Sequence, residues 1–478
     1  MKVTVIVPFV RMENFDRCIE SIRKNHGLSE DPEIIWEQDE LGIGCPRMVK
    51  KLVDKSTTDL VCFLGDDTEP QPNFLRNALA MMRKLDLWMV GFNDTHTVRP
   101  THWLASKKLL NERGEFFDTR FVHNYSDTEL MFRAERLGKY AWCEQAVVLH
   151  HNPLAEKNIK QIDKFYQRGA DYLNQDENLF HELCSKVSVG MIVKNEEVML
   201  AECLESVKGA DEIVVVDTGS TDRTKEIAAR YTDKIYDFKW IDDFAAARNF
   251  VISKCSHDWI LSIDADQLLL PGSLEHFKAF LRSNVEMLTI GTHMVDPGVE
   301  YYVPRFFRNV PCNRWQGMIH EAIVLTPGRH IELSEVKITS RFSPAHTQDP
   351  DRSVRILLKA VEKEPTSSRY WYYLGREYCY LKEFEKAVSC LDKCVSFCAW
   401  LPERADAYYL KALSLWYLCK GDKAREACFQ ALSINSEFKS ASLLMAEMSW
   451  DHNKAGWLRM ANGATNQDVL FRRETLCF

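Results

Sequence analysis

No run of about 18 apolar residues occurs anywhere in the 478-residue chain, so no segment has the length of a helical membrane span. The opening "MKVTVIVPFV" is too short in its apolar part for a secretion signal and alternates like a first strand. A cytoplasmic protein is expected. No Cys-x-x-Cys pair is present either: the 15 cysteines are scattered through helical and strand patterns, which argues for reduced thiols and against a zinc ribbon, a redox motif or a disulfide framework. An excess of positive charge is also missing. The formal net charge of −8 gives no global attraction to nucleic acid or an anionic membrane surface, and leaves only local basic grooves for such partners. With 46% hydrophobic and 27% charged residues, the composition is that of a soluble globular chain with room for about three domains.

What the chain does have is acid at the ends of apolar runs. "WILSIDADQLLLPG" places Asp264 and Asp266 one residue apart after a strand-type run, and "LVCFLGDDTEPQP" does the same with Asp66 and Asp67. Alternation along an extended chain puts i and i+2 on one side, so two such carboxylates repel unless something positive lies between them.

The surroundings of the two acidic pairs repeat. "KVTVIVPFV" and "KVSVGMIVKNEE" are apolar strands opening onto polar loops, followed by helical patterns containing "CIESI" and "CLESV". "PEIIWEQDELG" ends a short strand in acids around Asp39, and "ADEIVVVDTGSTDRT" ends a buried strand at Asp217 before a Gly-Ser-Thr-Asp turn. A helix with an arginine near its start comes next in each half, at Arg47 and at Arg248, and then the acidic pair. Strand and helix alternation implies an α/β, doubly wound, Rossmann-like sheet in each half, with ligands at the carboxyl ends of the strands.

The series "VGMIVKNEE", "VVVDTGSTDRT", "DDFAAARN" and "WILSIDADQLLLPG" resembles the GT-A fold of family 2 glycosyltransferases. The N-terminal half resembles the same family more loosely, in "VIVPFV", "FLGDDTEPQPNFL" and "NYSDTELMFRAERLGKYAWCEQAVVLHHNP". The resemblance implies two tandem GT-A domains, at 1–180 and 186–347, and an inverting, metal-dependent transfer of sugar from a nucleotide donor, with UDP the expected nucleotide. It implies that Asp217 meets the base edge, with Asn195, Glu196 and Arg248 nearby. Asp264 would contact the ribose or a metal-bound water, and Asp266 would hold Mn²⁺ or Mg²⁺ against the diphosphate. In "RWQGMIHEAI" Glu321 matches the catalytic base and Trp315 an acceptor wall, with His320 or His346 as the remaining metal ligand. In the first domain Asp127 matches the base, Asp67 the metal carboxylate, His150 or His151 the late ligand, and Asp39 and Asp66 the donor contacts. That domain departs from the pattern at Gly65, where the first acid would stand, and in lacking the Gly-Ser-Thr-Asp turn.

After His346 the pattern changes. "WYYLGREY" fits the tetratricopeptide start Trp-x2-Leu-Gly-x2-Tyr, with Ala387 in the small position of the partner helix. "AYYLKALSLWYLCKGDKAREACFQALSIN" is a second, weaker unit, and "ILLKAVEKEP" reads as the closing helix of an earlier one. The repeat is expected over 350–455, with a tail at 456–478 and a face open to self-association. Cys390, Cys394 and Cys398 recur every four residues, as small buried positions on a packing face do. Two functions remain: one or two consecutive sugar transfers to a peptide or protein, a glycan or a modified nucleic-acid base, or a tetratricopeptide binding scaffold carrying inactive glycosyltransferase-like domains.

Overall fold

The computed structural model describes residues 2–464 apart from 97–99, 152–170, 283, 285–286, 297–298, 327–328 and 450. Its contacts divide the chain into two compact units. One comprises Met1–Lys239, Ala247–Trp315 and Ile323–Ser343; the other comprises Trp240–Ala246, Gln316–Ala322 and the chain from Pro344 onward.

The first unit contains two sheets built to one plan. Strands β1 (Val3–Phe9), β2 (Glu33–Gln38), β3 (Leu60–Phe63), β4 (Thr68–Pro70), β5 (Met89–Asn93), β6 (Trp103–Ser106) and β7 (Tyr140–His150) form the first. Their spatial order is β2-β1-β3-β6-β5-β7-β4. The second has β8 (Val187–Val193), β9 (Glu212–Asp217), β10 (Ile235–Asp237), β11 (Trp259–Ser262), β12 (Gln267–Leu269), β13 (Thr289–Asp296) and β14 (Val299–Arg308). After a small ladder of β15 (Trp315–Gln316) and β16 (Ala322–Ile323), β17 (His330–Ser340) completes it, in the order β10-β9-β8-β11-β14-β13-β17-β12. Removing the edge strand β10 leaves the order of the first sheet. Each sheet is mixed: β2, β1 and β3 run parallel, as do β9, β8 and β11, while β6 and β14 join antiparallel. The expectation of parallel strands from alternation therefore holds for the half of each sheet that carries the acids.

A carboxylate, buried in the second sheet and half-buried in the first, begins each parallel core. In the second sheet Glu212 accepts from the hydroxyl of its register partner Ser188, from Ser256 N and Oγ (both 2.8 Å), and pairs with Lys234. In the first sheet Glu33 does the same with its register partner Thr4 and with Thr57 Oγ1 at 3.0 Å. Each clamp ties together the beginnings of three neighbouring segments that the chain delivers from far apart. The apolar faces then pack into separate cores, around Val5, Leu64, Phe74 and Phe92 in the first, and around Val189, Trp259, Phe277 and Phe306 in the second. Where the two sheets' domains meet, the buried Arg308 lies 3.6 Å from the Phe132 ring centroid, and Arg136 pairs with Asp258 at 2.9 Å.

The second unit is helical. A lone helix, Arg352–Lys363, precedes three hairpins: Ser368–Tyr380 with Phe384–Phe397, Leu401–Tyr417 with Gly421–Ile434, and Lys439–Glu447 with Asp451–Gly463. Gly375 sits where helices touch, since a Cβ there would lie 2.7 Å from Leu391 Cγ. That contact explains why the motif needs glycine. The third hairpin runs past residue 455, where a tail was expected; its short apolar spacing had no motif to mark it, and residues 465–478 lie outside the described residues. Trp240, Phe244, Met318 and Ile319 pack into the same core as these helices, so two segments expected in the second domain belong to the helical unit. Cys390 and Cys394 are buried in the packing face, and Cys398 donates to Glu403 at 3.4 Å. Among the described residues no helix is long and apolar enough to cross a membrane.

The Glu212 clamp makes a prediction. Burial alone would raise this carboxyl, but Lys234, Ser188 and Ser256 bring it down from 4.5 to about 2. A carboxyl lowered on folding stabilises fully above its unfolded value, and the contribution disappears as pH falls from about 4.5 toward 2. Glu212→Gln is expected to lose on the order of 3 kcal/mol at pH 7, and its deficit against the parent should shrink in acid denaturation melts between pH 5 and 3.

Candidate functional site

The parallel strands of the second sheet end in loops that lock onto one another. Asp217 closes β9, and its buried carboxylate accepts from Gly219 N (3.1 Å) and Ser220 N (3.0 Å), which folds the Gly-Ser-Thr segment into a tight turn. From the end of β8, Asn195 in the left-handed region (φ 56°) reaches that turn: its Oδ1 accepts from Thr221 N at 2.8 Å and its N–H donates to Ser220 Oγ at 2.9 Å. Lys225 stands 3.7 Å from Asp217. Glu196 follows, with its N–H donating to Thr224 Oγ1 (2.8 Å) and its Oε2 accepting from Ser343 Oγ (2.7 Å). Burial pushes the Glu196 carboxyl up to about 7 against the Ser343 bond, and the charges of Asp266, Asp222 and Asp264 push the same way. These four acids thus share one electrostatic neighbourhood.

The Asp264/Asp266 pair is arranged differently from the strand-end picture. Strand β11 stops at Ser262, and the acids fall in the turn that follows, where Gln267 N donates to Asp264 O at 2.9 Å and Asp264 N donates to Gln267 Oε1 at 3.1 Å. Same-side alternation does not apply inside a turn. Arg248 donates to Asp264 Oδ1 at 2.7 Å and Arg305 to Oδ2 at 3.1 Å. Burial would raise the Asp264 carboxyl, but the two guanidiniums hold it well below the usual carboxylate range. The positive charge beside this acid therefore comes from the protein itself. Asp266 remains partly exposed, and its carbonyl accepts from Arg341 N at 2.8 Å. Arg248 also lies 5.0 Å from the Trp315 ring, and Trp315 is buried behind it with its backbone held on both sides by Asn249. An acceptor wall needs an open ring face, so Trp315 serves here as the backing of Arg248.

Glu321 and His320 belong to the helical unit. His320 takes positive φ (52°), and its ring stacks on Tyr373 with centroids 3.7 Å apart, while its carbonyl accepts from Arg369 at 3.0 Å. The ring of His320 is thus packed against the first helix of the hairpin that carries Tyr373. The His346 side chain lies outside the described residues.

The first sheet can be read against the second by register. Counting from the matched glutamates, Gln38 takes the position of Asp217, Gly65 that of Asp264 and Asp67 that of Asp266. Trp103 takes the position of Arg305, and, counting back from Lys55 and Lys254, which end matching helices, Val49 rather than Arg47 takes that of Arg248. Losing both acids, Asp217 and Asp264, together with both arginines keeps the charge balanced. Asp39 instead accepts from Ile43 N (2.7 Å) and Gly44 N (2.9 Å), shaping the loop before a helix. Asp66 accepts from Val10 N (2.9 Å) and Arg11 N (3.0 Å), and burial beside Asp67 raises its carboxyl. Asp127 begins the helix Ser126–Arg136, accepting from Thr128 N at 2.7 Å.

Asp67 is met by histidines. His150 Nε2 lies 3.5 Å from its Oδ1, and His102, from the start of β6, completes a group whose donor atoms all fall within 4.8 Å of one another. His151, the other histidine that the sequence offered, follows the last residue of β7 and faces Glu69 at 3.2 Å. Burial and the neighbouring His150 lower His102 to about 3, whereas burial of His150 is outweighed by Asp67 and Asp94, which raise it to about 9. Asp67 and His150 border a cavity of about 250 Å³, also lined by Arg11, Asp39, Asp66 and His123. Arg305, Ser343, His102 and Asp94 went unremarked in the sequence; a lone arginine inside the apolar run "YYVPRFF" was the one visible signal among them.

Residues 188–329, from β8 to the segment before β17, match the family described as Glycosyl transferase family 2. A TPR repeat-containing protein of Synechococcus elongatus is 38% identical over 143 residues, 29% of this chain and 36% of the relative. The SPbeta prophage-derived glycosyltransferase SunS of Bacillus subtilis is 28% identical over 227 residues, 44% of this chain and 53% of SunS. The chain thus spans between about a third and about half the length of these curated relatives. The crystal structure of S. aureus TarS superposes with a TM-score of 0.33 at 16% identity, covering 53% of this chain and 55% of TarS.

The arginine-held acid can be tested without knowing a substrate. Asp264→Asn leaves two guanidiniums facing a neutral amide and should cost on the order of 3 kcal/mol. Asp266→Asn removes a like charge from the same neighbourhood and should change stability by less than about 1 kcal/mol. Urea unfolding of the two variants measures the difference; equal losses would mean that Asp264 is not the charge centre of this turn.

Proposed function

We propose that this chain, which carries a family 2 glycosyltransferase domain followed by a tetratricopeptide-type helical repeat, transfers a single sugar from a nucleotide donor to an acceptor with inversion at the anomeric carbon. The observation that supports it most is where the family match falls: residues 188–329 contain the interlocked loops of Asn195, Glu196 and Asp217 and the Arg248–Asp264 pair. Such loops offer a rigid polar rim to a nucleoside, and rigidity limits the entropy lost on binding. UDP-sugars are the first donors to try.

In the proposed reaction the acceptor nucleophile attacks the anomeric carbon as the bond to the diphosphate oxygen breaks, and a carboxylate takes the acceptor's proton. Glu321 keeps the role of base on its motif alone. The chemistry of the donor set fits a hard cation, since Mg²⁺ and Mn²⁺ sites of this kind use one or two carboxylates with substrate phosphates, and Asp266 is a partly exposed carboxylate two residues beyond Asp264. When bound there, the cation would neutralise charge developing on the leaving diphosphate. The Asp264 clamp keeps Arg248 and Arg305 in fixed directions beside it.

Two consecutive transfers, admitted by the duplicated fold, would need a second donor site. The first sheet has Gln38, Gly65, Val49 and Trp103 at the positions of Asp217, Asp264, Arg248 and Arg305, so the transfer is assigned to the second domain. The acceptor is sought among peptides or proteins and glycans, with modified nucleic-acid bases as the further class to screen.

A screen of nucleotide sugars for Mn²⁺-stimulated hydrolysis, followed by intact-mass analysis of candidate acceptors, should find one donor and a mass gain of one sugar. Asp266→Ala should abolish both hydrolysis and transfer, and Glu321→Gln should lower turnover by about 10²-fold or more with little change in donor affinity. Hydrolysis of no nucleotide sugar by the parent protein would favour the binding scaffold. A parent product carrying two sugars, reduced to one by Asp67→Ala, would restore the two-catalyst reading.

A further inference from the structure

We infer that the first domain holds a divalent transition metal of the zinc type on Asp67, His102 and His150, and that this ion binds without a nucleotide. The inference is independent of the sugar transfer assigned to the second domain. It rests on donor chemistry, on the orientation of the rings and on a missing side chain.

The three donors come from three separate pieces of chain: the turn after β3, the start of β6 and the end of β7. Their ligand atoms lie within 4.8 Å of one another. Two imidazoles and one carboxylate form a set that suits zinc and its neighbours in the first transition row, unlike the all-oxygen sets of Mg²⁺ and Ca²⁺. Asp67 divides its oxygens, Oδ1 toward His150 at 3.5 Å and Oδ2 toward Arg11 at 3.6 Å.

The second sphere orients the rings. Thr101 has one hydroxyl proton and donates it to Asp94 Oδ2 at 2.8 Å, so at 3.0 Å its oxygen accepts from His102 Nδ1. That fixes the tautomer of the buried His102 and turns the lone pair of Nε2 away from Thr101. Asp94 is fully buried, and its Oδ2 also stands 3.9 Å from His150 Nδ1, the carboxylate-behind-histidine arrangement of metal sites. Gly65 supplies the room: a Cβ there would lie 2.9 Å from Asp67 Oδ1 and 3.3 Å from His102 Nε2. In the second domain Asp264 fills this position, and Ser340 stands at the register position of His150. The two domains thus differ in which charge they place at one point of the same fold. Because His150 and Asp67 also border the cavity of about 250 Å³, the fourth position of a tetrahedral ion would open toward it.

The test uses the full chain stripped with a chelator, titrated with Zn²⁺ in a calorimeter and with Co²⁺ by visible absorption, with no nucleotide present. One equivalent with the intense absorption of tetrahedral Co²⁺ is expected. His102→Gln and Gly65→Ala should each weaken binding by about 100-fold or more, and Thr101→Val by about 10- to 100-fold. Far-ultraviolet circular dichroism of each variant checks that it folds, and Asp266→Ala, in the other domain, should leave the titration unchanged. Binding that appears only when a nucleoside diphosphate is added, or that survives unchanged in a folded His102→Gln, would overturn the assignment. So would loss of the signal in Asp266→Ala.

Discussion

Carboxylates drawn together at the carboxyl edge of a parallel sheet must be neutralised, and the architecture of this chain follows from how that is done. Desolvation works against a charged acid, and two acids close together work against each other. In the second domain the compensation is a pair of guanidiniums on Asp264, one from a helix and one from an antiparallel strand. In the first domain the acid is deleted at Gly65, the arginines are replaced by Val49 and Trp103, and histidines gather on the surviving Asp67. The backbone plan is shared, down to the glutamate clamp at the strand starts. Only the currency of charge differs.

This division explains why duplication need not mean duplicated chemistry. A donor site built on fixed loops requires the turn after Asp217 and the latch from Asn195, and both depend on small polar residues in "TGST". The first domain has "QDELG" there, and Asp39 spends its oxygens on the two backbone N–H groups before the next helix. Its loop is shaped by that cap, leaving the cavity beside Asp67 and His150 with a different lining. Fold and site are separable, as they are across the large α/β folds generally.

The helical unit shows the opposite economy. Its hairpins follow a packing rule that needs small residues at fixed places, so Gly375 and Ala387 are legible as such from the motif alone. Its core also takes in Trp240, Phe244, Met318 and Ile319, which stand far away in sequence. Apolar residues in loops are satisfied by whichever core reaches them, and no local pattern announces which one that will be.

From the residues in order came the repeat, the strand and helix alternation, the strand-end acids, the departure at Gly65 and the tetratricopeptide spacing, because each is a local pattern with its own period or turn chemistry. The tertiary structure decided what the acids face. Arg305 and His102 come to Asp264 and Asp67 across antiparallel pairings with β14 and β6, and such registers join residues about forty positions apart that no local spacing connects. It also set which acid each of two adjacent histidines meets: His150, paired with Thr68 at the end of β7, stands beside Asp67, and His151 beyond it stands beside Glu69.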